Sequence, residues 1–165
     1  MATLNINVAV TPKGTSTSDG ANFAFSAGAN APSGVVSNDG AIDLTKQYNA
    51  GTTVALAFQL TTSTIKFTSG TWVGTFPLSF YGAQNGAKDA CWIALAGQHL
   101  GIYNGSQFVF APNALGPGYL ALSILDNNND GQTYNYALWV FAATQGTVGQ
   151  TFEDDPRIVN HTQNK

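Results

Sequence analysis

Thr133-Tyr134-Asn135-Tyr136-Ala137-Leu138-Trp139-Val140-Phe141-Ala142 decides the class of this chain. Tyr134, Tyr136, Leu138 and Val140 alternate with Asn135, Ala137 and Trp139, a period of two that sends each set to one face of an extended strand. The same period recurs elsewhere. Leu4, Ile6, Val8 and Val10 alternate with Asn5, Asn7 and Ala9, and Val54, Leu56, Phe58 and Leu60 with Ala55, Ala57 and Gln59. Asp19-Gly20, Asp39-Gly40, Asn85-Gly86, Asn104-Gly105 and Asp130-Gly131 supply turn residues that accept the positive φ of tight connections. Leu100 to Tyr103, Asn104-Gly105 and Gln107 to Phe110 read as a hairpin.

The helical signal is confined to a short turn near Ala87 to Ala94, and 18 glycines disfavour long helices. The pattern therefore predicts an all-β chain, an antiparallel β-sandwich of about eight strands with Ig-like, Greek-key connections, a jelly roll being the alternative. Strands are expected at 3–11, 22–26, 42–48, 53–61, 72–81, 91–103, 119–125 and 133–143. Surface scaling gives a chain of this length about 69% burial of its extended surface, enough for one core. A single domain over 1–165 is expected, with a polar tail over about 153–165.

Six basic and nine acidic residues give a net charge of −3. The basic residues are scattered, which excludes a phosphate-backbone footprint and hence nucleic acid as a partner. A surface built mainly of Asn, Gln, Ser, Thr and Gly suits neutral polyols, so carbohydrate is the ligand class to consider. It also suits self-association: low net charge favours contact between copies, and neither Val54 to Leu60 nor Tyr134 to Phe141 carries a Lys to protect a strand edge. A homo-oligomer is expected on that ground, and a self-assembling structural or storage protein is the alternative function. The first residues lack a basic, apolar leader and no apolar run reaches the roughly 18 residues of a membrane helix, so a cytoplasmic protein with no membrane partner is expected. Cys91, without a second cysteine, reads as a small buried hydrophobe.

The densest group of oxygen ligands is Asp126-Asn127-Asn128-Asn129-Asp130-Gly131. Its D-x-N-x-D-G order begins like a calcium loop, since Ca²⁺ takes six to eight hard oxygens, but Ala137 stands where an EF-hand needs a bidentate Glu. Oxygens from Asn85, Asp89 or Asp154-Asp155 would have to complete such a site. The plain alternative is a turn whose Asn and Asp residues tolerate left-handed geometry. Trp72, Trp139 and Tyr134 are the aromatic candidates for a sugar-stacking face.

Catalysis has little to draw on. The nucleophile-elbow, phosphate-loop and zinc-protease motifs are absent, and His99 and His161 are the only imidazoles. Glu153, Asp154 and Asp155 are adjacent, which gives no controlled separation across a sugar ring. Gly116-Pro117-Gly118-Tyr119-Leu120-Ala121 matches a dinucleotide fingerprint only superficially, because no helix is expected after it. The expectation is a protein that is not an enzyme.

Leu122-Ser123-Ile124-Leu125-Asp126, then Asn129-Asp130-Gly131-Gln132-Thr133, an aromatic strand, and Asp155-Pro156-Arg157-Ile158-Val159-Asn160 together resemble the AidA/PixA inclusion-body family of bacterial proteins. Gly40-Ala41-Ile42-Asp43-Leu44 and Ala50-Gly51-Thr52-Thr53-Val54 are similar to the family's central region; the bacterial DP-EP family is a second candidate. The chain departs from the pattern in its extra Asn between Asp126 and Asp130 and in a longer segment between Ala143 and Asp155. The resemblance implies a compact β-sandwich found in cytoplasmic inclusions, a non-catalytic binding module with calcium-dependent, lectin-like character. Carried onto this sequence, it points to Asp126, Asn129, Asp130, Asp155 and Asn160; the expected site has Asp126, Asp130 and Asp155 as metal ligands, with Asn129 and Asn160, and beyond the resemblance Asn128 of the same turn and the aromatic Trp139, on the ligand.

Overall fold

The computed structural model describes residues 1–14, 20–67, 86–142, 151–154 and 156–161. The aromatic run forms a strand at the centre of one of two sheets. To follow the chain, β1 is Ala2–Pro12, β2 Ala21–Ala27, β3 Ile42–Asp43, β4 Val54–Leu60, β5 Ile65–Phe67 and β6 Cys91–Leu95. β7 is Phe108–Val109, β8 Ala121–Asp126, β9 Thr133–Ala142, β10 Thr151–Asp154 and β11 Arg157–Val159. The first sheet has the order β2-β1-β4-β8-β7, and β1 and β4 run parallel within it. In the second, β5 and β6 line one edge of β9, β10 and β11 line the other, and β3 lies parallel beyond β11.

The all-β expectation holds. Among the described residues the helical pieces are 3₁₀ turns at Leu44–Lys46, Gly86–Asp89 and Pro117–Tyr119, and no described helix is long and apolar enough to cross a membrane. Alternation has the predicted effect: Leu4, Ile6 and Val8 of β1, Leu56 and Phe58 of β4, Leu122 and Ile124 of β8, and Tyr136, Leu138 and Val140 of β9 belong to one buried cluster. The two sheets meet through contacts such as that of Phe58 with Tyr136, ring centroids 5.6 Å apart. Each such side chain contributes about 1.5–3 kcal/mol by leaving water. The Tyr136 hydroxyl, buried with its ring, donates to the Gly40 carbonyl at 2.7 Å.

Several expectations need correction. The Leu100–Phe110 hairpin does not form: β7 pairs with β8, the expected first arm Leu100–Tyr103 is not a strand, and the Tyr103 hydroxyl accepts the Gln107 N–H at 3.0 Å across the expected turn. β3 stops at Asp43 because that carboxylate accepts the Thr45 N–H at 3.1 Å and starts a 3₁₀ turn. The expected polar tail instead supplies β10 and β11, with Ile158 buried in the core. The expected strand at 72–81 lies outside the described residues.

The two runs without Lys are β4 and most of β9, and both are paired on each side. They are not edges, so the absence of edge protection there has no bearing on self-association. True edges are partly occupied by the chain itself. Phe25 on β2 donates its N–H to Asn38 O at 3.1 Å, Ile93 on β6 to Gly101 O at 3.0 Å, and Asp43 on β3 to Val35 O at 2.9 Å.

Candidate functional site

Along β8 the inward positions are Leu122, Ile124 and then Asp126, so the strand period carries a carboxylate to a core-facing place. Asp126 is 0% exposed. Its Oδ1 accepts from the Gln107 side-chain amide at 2.7 Å, the Asn128 backbone N–H at 2.8 Å and the Asn160 side-chain amide at 3.2 Å. Those donors come from three segments: the turn before β7, the link from β8 to β9, and the residue after β11.

Asn128 and Asn160 extend the network. Asn128 sits at φ +47° and is fully buried. Its amide donates to Asn49 O at 3.3 Å and its Oδ1 accepts the His161 N–H at 2.8 Å. Asp130 accepts from the Gln132 N–H at 3.0 Å, from the Asn160 amide at 3.5 Å, and from the Tyr134 hydroxyl at 2.5 Å. The Tyr134 hydroxyl is pushed well above its ordinary pKa, first by burial and then by its bond to the Asp130 carboxylate.

Two oxygens in this junction are left over. Asp126 Oδ2 and Asn160 Oδ1 are buried and have no hydrogen-bond partner among the described residues, although a hydrogen bond joins their side chains. A buried acceptor without a donor costs about 1–3 kcal/mol, more when charged. Burial pushes the Asp126 carboxyl up to about 6; the nearby Asp130 charge also raises it, while the Asn128, Gln107 and Asn160 donors pull it down. Two chemical species would satisfy both orphans. A hard cation would accept oxygen ligands from Asp126, Asn160 and the adjacent Asp130. Alternatively, a proton on Oδ2 would complete an acid–amide pair with Asn160. The donor set is all oxygen, which suits Ca²⁺; no group of three or more His, Cys, Asp or Glu forms among the described residues, so amide oxygens would have to serve as ligands.

No family model matches the chain, and no curated protein matches it.

Of the residues singled out in the sequence, Asp126, Asn128, Asp130 and Asn160 converge here. Asn128 has both ends of its amide committed to the protein, and Asn160 is 3% exposed, so neither presents a surface group. Asn129 is half-buried beside them. Asp155 and Trp72 lie outside the described residues. Tyr134 turns inward, edge-on to Phe108 at 4.9 Å, and offers no exposed ring. Trp139 lies elsewhere, half-buried on the outer face of the second sheet and 4.9 Å from the ring of Trp92. Gln107 escaped the sequence reading because its role depends on the pairing of Phe108 with Asp126.

Proposed function

We propose that the protein is a non-catalytic binding module of the inclusion-body type, a β-sandwich with Ig-like, Greek-key connections that holds Ca²⁺ at the Asp126–Asn160 junction and engages carbohydrate in a lectin-like manner. The supporting observation is the pair of buried, donorless oxygens, Asp126 Oδ2 and Asn160 Oδ1, beside a second carboxylate. In this reading Asp126, Asp130 and Asn160 hold the ion. Tying the β8–β9 link to the residue after β11, the ion would brace the loops at this end of the sheets and fix the surface they present to a ligand.

The test is calorimetric titration with Ca²⁺ near pH 7.5, with melting temperatures recorded in Ca²⁺ and in EDTA. A ligand that binds the native state stabilises it by mass action, about 2.7 kcal/mol at a hundredfold excess over Kd. Saturable heat and a higher melting temperature are expected, both lost in Asp126→Asn, which keeps the side-chain shape and removes the charge. Absence of heat and of any thermal shift would overturn the calcium reading and leave the proton as the species that satisfies the pair.

A further inference from the structure

The outer face of the second sheet carries a different constellation. Arg157 stands opposite Asn135 of β9, and Val159 opposite Asp43 of β3, while Ile158 between them points into the core. A hollow of about 270 Å³ opens where these strands meet the turn through Ser37, Asn38 and Asp39. A second of about 410 Å³ adjoins it, and Asp39, Ala41 and Arg157 border both.

Most polar groups of this cleft are already engaged. Asp39 accepts from the Ser37 hydroxyl and, at 3.3 Å, from the Ala41 N–H. Asp43 accepts from the Thr45 N–H at 3.1 Å and hydroxyl at 2.5 Å, and lies 3.8 Å from Lys46 Nζ. Lys46 also donates to Gly34 O at 3.1 Å. Arg157, the chain's only arginine, is exposed and makes no hydrogen bond or ion pair with any described residue. Its five donors form a planar fork that matches a carboxylate.

The charges of the cleft bear on which anion fits. Asp39 and Asp43 offset Lys46 and Arg157, and the two carboxylates repel a phosphate dianion about twice as strongly as a monoanion. The lone pairs that Asp39 keeps and the amide of Asn135 suit hydroxyl groups. We propose that this cleft binds a carboxylate-bearing sugar, its carboxylate forked on Arg157 and its hydroxyls on Asp39 and Asn135. The inference rests on the lectin-like reading for its ligand class, but not on the calcium junction.

Calorimetry with glucuronate, glucose, glucose 6-phosphate and acetate tests it, on the full chain and on Arg157→Gln and Asp126→Asn. Glucuronate is expected to bind at least tenfold more tightly than glucose or glucose 6-phosphate. Arg157→Gln should lose at least tenfold without a change in melting temperature, and Asp126→Asn should keep the binding. Glucuronate binding that survives Arg157→Gln, or no glucuronate binding at all, would overturn the site. If glucose binds and loses affinity in Asp126→Asn while Arg157→Gln has no effect, the lectin-like reading stands and the cleft falls. If acetate binds as well as glucuronate and depends on Arg157, the cleft is an anion site and the sugar assignment fails, while the lectin-like reading is untouched.

Discussion

Asp126 carries a carboxylate where Leu122 and Ile124 carry methyl groups, and that exchange makes the fold sensitive to protons. Its ordinary value is 3.8 and burial raises it to about 6. A folded-state pKa above the unfolded one gives stability that is fully present below about 3.8 and is lost as pH rises through about 6. In EDTA, unfolding titrations should therefore show a decline of roughly 2 kcal/mol in this contribution between pH 4 and 7. Asp126→Asn should flatten that slope and be the more stable protein at pH 7.5; an unchanged slope in the variant would reject the assignment. Cys91 is the opposite case, an inert group: burial pushes its thiol up, and it is 1% exposed. Iodoacetamide should label it only after urea unfolding, as read by mass spectrometry. Most residues of the junction were legible in the sequence, because five acidic or amide side chains before one turn glycine are conspicuous. The turn reading leaves out the burial of Asp126, which follows from its place as the last inward position of β8. Gln107 and the committed ends of Asn128 were not legible, since their partners are set by pairing between distant strands.

Turns, more than strands, separate the expected elements from those that form. β1, β4 and β9 follow their period-two runs nearly to the residue, because alternation alone decides which face is buried. The segments after Ile42 and Leu100 also look extended in sequence, yet Asp43 turns the first by a local hydrogen bond, and Leu100–Tyr103 forms no strand although Gly101 O accepts the Ile93 N–H. Gly40 marks another tight turn. It has φ +84°, and a Cβ there would stand 2.8 Å from Phe25 Cε2 and from Pro156 Cγ. Gly40→Ala should thus cost roughly 2–3 kcal/mol, through left-handed strain together with overpacking. Urea denaturation measures this, and a loss below 0.5 kcal/mol would show that the turn can relax. The same turn places Asn38 against the edge of β2 and forms a wall of the Arg157 cleft, so the variant should weaken glucuronate binding as well.

At the scale of the whole molecule, the segment that reads as a solvated tail is a structural closure. β11 joins β9 to β3, Ile158 fills the core, and Asn160 and His161 tie the β8–β9 link in place. Ile158→Ala should cost about 2–5 kcal/mol, the usual range for emptying an apolar core position. A chain ending at Asp154 should lose its cooperative thermal transition and near-ultraviolet circular dichroism, and retention of both would show that the second sheet closes without β11. In sequence the segment reads as a tail because it is polar apart from Pro156, Ile158 and Val159, and the strand it holds is only three residues long. The parallel pairing of Ile42 with Ile158 sets a temporal order on biosynthesis. A nascent chain cannot complete its second sheet until nearly all of this sequence has left the ribosome, and pairing so distant is slow to form. Throughout that interval β3 waits without its partner, so the rate of translation and the supply of chaperones should govern how much of the protein reaches the native state and how much aggregates.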